Sequence, residues 1–200
     1  MNQQDLRVLK SEEAIKEAFI SLIEKKGFAK VTVKDITSKA IVNRGTFYLH
    51  HVDKFALLDE IENSLLEGLG IFMSKIPVSD FRQATTSTIA NPILVSYFEY
   101  IQQNERLFKI LLLNKSDMNF VVKLKHFVYS KIIYTINLWT NEADNTLIPP
   151  EYLATIASSV YAGLFCYWLE SGMTKTPVEM GKILTAFWKY DIMNLPTKEK

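Results

Sequence analysis

Apolar side chains recur three and four residues apart along almost the whole chain, and that period decides the fold class. Ile15, Ala18, Phe19, Leu22 and Ile23 set the pattern, and Phe55, Leu58, Ile61, Leu65, Leu66 and Leu69 extend it toward Met73. Seven glycines and six prolines in 200 residues leave few interruptions. The chain reads as all-α, with about nine helices bounded by local cap signals. "VTV" at 31–33 alternates like a strand, but nothing nearby offers it a pairing partner.

The cap signals place the elements. Gly27 after Lys25-Lys26 closes the first helix. Thr32 with Asp35 three residues on resembles a capping box and opens a short second helix through Ala40. A third helix runs from after Asn43 to near His50, and Asp53 caps a long fourth. Beyond "KIPVSD", Asn91-Pro92 opens a helix through Gln103, and Asn104 caps a short one to Leu113. Another spans about Asp117 to Thr140. Pro149-Pro150 opens an uncharged helix that Gly172 closes. Thr176-Pro177-Val178-Glu179 starts the last, which runs to about Met193.

Charge separates the chain into unequal parts. Residues 1–54 carry ten basic and seven acidic side chains, net +3, and the remaining thirteen and fifteen give net −2. A polyanion contact is therefore expected in the first quarter. Tyr152 to Leu169 is eighteen residues without a charge, but it holds Thr155, Ser158, Ser159 and three tyrosines and has no Lys or Arg anchor. It is read as a helix buried between protein surfaces, with no membrane partner. The N-terminal "MNQQDLRVLKSEEAI" lacks an apolar signal core, and Cys166 is the one cysteine. Both fit a bacterial cytoplasm. Three scattered histidines offer no metal spacing, and no phosphate loop, nucleophile elbow or paired acids suggest catalysis. No catalytic residue, metal or cofactor is expected. Cys166 is read as a buried inert thiol, His51 as a packing or cap residue, and His126 as surface or satisfied core.

"NRGTFYLHH" (43–51) is poor helix material and too polar for a core. Helix two, a three-residue turn (Ile41, Val42, Asn43) and helix three have the dimensions of a helix-turn-helix, whose second helix enters the major groove. Gly45 lets backbone or base come close. Arg44 suits phosphate or guanine, Thr46 a thymine methyl, and Tyr48 and His50 phosphate oxygens. Phe47 is expected to be the inward anchor, with Leu49 against a base or a neighbouring helix. Lys54 is expected at a backbone phosphate beside a helix N-terminus.

The run "FAKVTVKDITSKAIVNRGTFYLHHVDKFALLDEI" (28–61) resembles the DNA-binding domain of tetracycline-repressor (TetR) family regulators. Thr32, Ile36, Ala40, Asn43, Arg44, Gly45, Thr46, Phe47, Tyr48, His50 and Lys54 match that pattern. The resemblance adds Thr32 and Asn43 to the DNA-contact set. "YFEYIQQNERLFKILL" is similar to the C-terminal type common in Firmicutes members. Two positions depart. Ile41 stands where the family usually has glycine, at a turn position that needs positive φ, so strain is expected there. His51 replaces the usual aromatic.

The resemblance implies a helix-turn-helix DNA-binding domain at 1–54 and a dimerisation and effector domain at 55–200. It implies a palindromic double-stranded operator, a homodimer and a repressor released by a small-molecule effector. Control by a protein partner, or a helical module that no longer binds DNA, are the alternatives. On a helical wheel Leu153, Ile156, Val160, Leu164 and Tyr167 form a stripe read as the subunit's own core. Ala154, Ser158 and Ala162 recur every four residues on a second face, beside Ser159 and Gly163. That face is assigned to the dimer with Phe165, and Met180, Leu184, Phe187 and Trp188 of the last helix cover the partner.

Overall fold

The computed structural model describes residues 3–73, 91–113, 119–139 and 148–187. Among them are nine α-helices and no strand. They are α1 (Gln3–Lys26), α2 (Val33–Ala40), α3 (Arg44–His50), α4 (Lys54–Met73), α5 (Pro92–Gln103), α6 (Glu105–Leu113), α7 (Asn119–Trp139), α8 (Pro150–Glu170) and α9 (Pro177–Phe187). A short 3₁₀ turn, Phe28–Lys30, joins α1 to α2. The described residues fall into two compact units that divide inside α4, between Leu65 and Leu66. The sequence reading put the boundary at residue 54, where α4 begins.

In the first unit the helical period of α1 puts Ile15, Ala18, Phe19 and Ile23 on one buried face. Ile36 of α2, Phe47 of α3 and Leu57, Ile61 and Leu65 of α4 close the core. Phe55, expected on the apolar stripe of α4, is 60% exposed, and Leu57 takes the inward place. Phe55 instead meets the ring of Phe28 edge-on at 5.2 Å. Gly27 ends α1 at φ 77, a left-handed value that favours glycine.

The second unit is a helical bundle in which α8 packs on α7 and α9 on α5. Its centre is aromatic. Phe98 meets Phe165 and Trp168 edge-on, each at 5.4 Å, and Tyr97 lies 5.0 Å from Phe165. The Trp168 indole N–H donates to Lys175 O at 2.9 Å, so the largest buried ring among the described residues keeps its polar atom paired. Gly68 permits a close approach within this unit, because a Cβ there would lie 2.1 Å from the Tyr100 hydroxyl. At α9, Thr176 and Glu179 form a reciprocal cap, Glu179 N to Thr176 Oγ1 at 3.2 Å and Thr176 N to Glu179 Oε2 at 2.8 Å.

α8 corrects the assignment of faces. Ala154, Ser158, Ala162 and Phe165, expected at the dimer, are buried inside the subunit at 0%, 4%, 1% and 1% exposure. Leu184 of α9 is buried too, as is Met180, and Phe187 is half-buried. Trp188 lies outside the described residues. The stripe expected to be core turns outward, with Ile156 and Tyr167 exposed and Leu153, Val160 and Leu164 half-buried. Small side chains let helices pack closely, and here they face the subunit's own bundle. Ser158 satisfies its hydroxyl on Thr155 O at 3.0 Å, so burial leaves it no unmet donor. By length and composition α8 is apolar enough to cross a membrane, but this inner face is core. Cys166 is half-buried rather than buried, and burial pushes its thiol up. His126 is on the surface.

Candidate nucleic-acid interface

Three residues set the start of α2. Thr32 Oγ1 accepts from Asp35 N at 3.2 Å, and Asp35 Oδ2 accepts from Thr32 N at 2.9 Å and from its hydroxyl at 2.6 Å. Lys26 at the end of α1 donates to the same carboxylate oxygen at 2.7 Å. That ammonium first, and Thr32 second, hold the Asp35 carboxyl well below the usual range. The hydroxyl of Thr32 is thus committed to the cap, which limits what it offers DNA.

α2 ends at Ile41 with φ 57 and ψ 42, and both Ile41 N and Val42 N donate to Thr37 O. A β-branched side chain in this left-handed region is strained, and Ile41 is 92% exposed, so no packing offsets the cost. The turn keeps the shape a glycine would give it.

Asn43 then caps α3, accepting from Gly45 N at 2.9 Å. Phe47 is fully buried and anchors the helix. Arg44 and Gly45 are exposed, as are Tyr48 at 54% and Leu49 at 82%, while Thr46 and His50 are half-buried. One face of α3 is therefore core and the rest is presented outward. A Cβ on Gly45 would meet only Asn43 Oδ1 at 3.6 Å, an ordinary contact. Nothing inside the unit requires glycine there.

Lys54 is the correction in this set. Its ammonium donates to the carbonyls of Phe28 (3.0 Å), Ala29 (3.2 Å) and Val31 (2.9 Å) and lies 4.5 Å from the Phe28 ring centroid. Three donors on three carbonyls leave none for a phosphate. The residue ties the start of α4 to the loop before α2. The sequence signal for Lys54, a lysine after a cap residue, does not distinguish these roles. Sequence reasoning in turn passed over Lys30 and Lys34, which are exposed beside the start of α2. Their signal was the basic excess of the first quarter.

His51 is buried and closes α3, with its amide donating to Phe47 O at 2.9 Å and Nδ1 lying 3.2 Å from Glu60 Oε2. Among the described residues, no group of three or more His, Cys, Asp or Glu is placed to hold a metal.

Two short helices joined by a tight turn, with an inward anchor and an outward polar face on the second, define a helix-turn-helix protein. Known proteins resolve the class further. Residues 15–61 match the model described as "Bacterial regulatory proteins, tetR family", and residues 90–190 match "Transcriptional regulator C-terminal region". The chain belongs to the TetR family of transcriptional regulators, proteins that are not enzymes.

Over 60 residues, 30% of this chain and 16% of the relative, it is 37% identical to the HTH-type transcriptional regulator YxbF of Bacillus subtilis. The chain spans less than half the length of the curated relatives it matches. Among solved structures, a TetR transcriptional regulator of Streptococcus agalactiae shares the fold at 24% identity and a TM-score of 0.62, covering 92% of this chain and 97% of that one. The regulator FadR of Bacillus subtilis, in complex with stearoyl-CoA, shares it at 14% identity and a TM-score of 0.59, covering 89% and 97%.

Proposed function

We propose that the protein is a homodimeric repressor of the bacterial cytoplasm that binds a palindromic operator through α3 of each subunit. The division of α3 carries this reading. Phe47 holds the helix to the core while Arg44, Gly45, Thr46, Tyr48, Leu49 and His50 are left at or near the surface, a set able to meet phosphates and base edges. Asn43 and Thr32 hold the two helix starts in place, and Lys30 and Lys34 add phosphate contacts beside α2. DNA contact belongs to the chain up to about residue 54, and dimerisation and effector binding to the rest.

A second copy covers the outward stripe of α8. Tyr152, Ile156 and Tyr167 are 63%, 47% and 69% exposed, with Gly163 open between them and Val178 and Ile183 exposed on α9. An apolar row of this kind suits a two-fold contact in which the same patch meets itself. For the effector, a buried polar atom supports a ligand in the second unit. The Tyr97 hydroxyl has no hydrogen-bond partner among the described residues, and the ring lies among Phe98, Tyr161 and Phe165. Release follows if the effector binds more tightly to the state whose α3 pair does not fit successive grooves.

Selection from random duplexes with the purified full chain tests the reading. The expected product is an inverted repeat with half-site centres about 34 Å apart. Arg44→Ala is expected to weaken binding by roughly 1–3 kcal/mol. Gly45→Ala keeps the fold and weakens the operator complex. Failure to enrich any sequence, or enrichment of a lone half-site bound by a monomer, overturns it.

A further inference from the structure

His51 is 4% exposed and packs on Phe47, the anchor of α3, with ring centroids 5.5 Å apart. An apolar ring would fill that place without a polar atom. The imidazole instead buries Nε2 with no hydrogen-bond partner among the described residues, a costly arrangement unless the other nitrogen has a task. That nitrogen, Nδ1, faces Glu60 Oε2 at 3.2 Å. The second oxygen of the same carboxylate, Oε1, receives Lys16 Nζ of α1 at 2.7 Å, and Lys16 also holds Glu12 Oε1 at 2.8 Å. One side chain of α4 thus sets one oxygen against the cap residue of α3 and pairs with α1 through the other.

We propose that Glu60 is a positioning residue for DNA recognition, fixing the C-terminal end of α3 through His51 and tying it to α1 through Lys16. The inference rests on the reading of α3 as the DNA-contacting helix. A carboxylate only accepts, so His51 carries its proton on Nδ1 and donates it to Glu60, leaving Nε2 a bare acceptor. Burial, the largest influence, holds the imidazole below its ordinary value, and Glu60 opposes it. Of the other charged groups facing the ring, Glu12 of α1 favours the cation, and Lys16 of α1 and His50 of α3 disfavour it. A second proton would put an N–H at the buried, partnerless Nε2. Acid therefore opens the joint, and operator affinity falls with it.

The test uses the full chain, its selected operator duplex and a scrambled duplex, read by fluorescence anisotropy across pH. Glu60→Gln is expected to lose roughly tenfold on the operator, the scale of one charge-assisted hydrogen bond, with less than about twofold loss on scrambled DNA. His51→Phe is expected to remove most of the wild-type loss of operator affinity below about pH 6.5. Equal operator affinity in Glu60→Gln, or equal losses on both duplexes, overturns the proposal while leaving operator binding itself intact. If no duplex is selected by the wild type, the reading of α3 falls and this inference with it. Imidazole ¹⁵N spectra of the wild type give a measurement free of any variant. A neutral Nδ1–H tautomer at about pH 7.5 is expected, and an Nε2–H tautomer overturns the proposal.

Discussion

Lys54 and Phe28 are joined twice, by an ammonium-to-carbonyl hydrogen bond of 3.0 Å and by the same ammonium 4.5 Å from the ring centroid. With Ala29 O and Val31 O also held, Lys54 closes the loop between α1 and α2 from the start of α4. Lys54→Met keeps the stem and removes the donors. We expect a loss of about 1–3 kcal/mol in urea unfolding of the first unit, with the salt dependence of DNA binding unchanged in slope. A slope reduced by about one per subunit, with stability unchanged, would return Lys54 to a phosphate.

Ile41 holds φ 57 with its side chain in water. Glycine adopts that conformation without the Cβ clash, so relief of strain outweighs its larger chain entropy when unfolded. Ile41→Gly is expected to stabilise by about 0.5–1 kcal/mol on thermal unfolding. A loss greater than about 1 kcal/mol would mean that Ile41 packs against something.

Glu179 is held down to about 2, first by the backbone N–H of Thr176, then by Lys175 and the Thr176 hydroxyl. For a carboxylate lowered on folding, the unfolded chain takes up its proton first as the solution is acidified. The stability it contributes is full above its ordinary value of 4.5 and is lost as pH falls toward about 2. Glutamine keeps the cap but not the charge. Wild type should therefore melt above Glu179→Gln near neutrality, and the gap should close by about pH 2. A gap constant with pH would show that the ionisation of Glu179 contributes nothing to it.

The helix starts were legible because their chemistry is local. Thr32 with Asp35, Asn43, Asn91-Pro92 and Thr176 with Glu179 each satisfy backbone donors within three residues, and neighbours in sequence suffice to see that. The turn at Ile41 was legible for the same reason. Lys54 was not, because its partners lie 23 to 26 residues away and a lysine gives no sign of where its stem leads. Nor was the inner face of α8. Its two faces are both free of charge, so polarity gives no direction, and size misleads. Ala154, Ala157, Ser158 and Ala162 sit inward, while tyrosines at 152 and 167 point away from the subunit core.

That reversal supplies the sharpest test of the assembly. Gly163 is exposed, and a Cβ built on it meets nothing within 4 Å in the subunit. Arginine there leaves the single chain unhindered, so any loss must come from whatever covers the face. Ala162, the preceding residue, is 1% exposed, and arginine at that position drives an unpaired charge into the bundle, at a cost of roughly 3–5 kcal/mol. Adjacent substitutions therefore separate two effects. Gly163→Arg, with Ile156→Arg as a second variant on the same stripe, should give monomers by analytical ultracentrifugation. Their helical circular dichroism and melting should persist, and operator affinity should fall because the half-sites are no longer read together. Ala162→Arg should lose helical signal and melt early, whatever its mass. If Gly163→Arg and Ile156→Arg remain dimers with undiminished operator binding, the outward stripe of α8 is not where two copies meet.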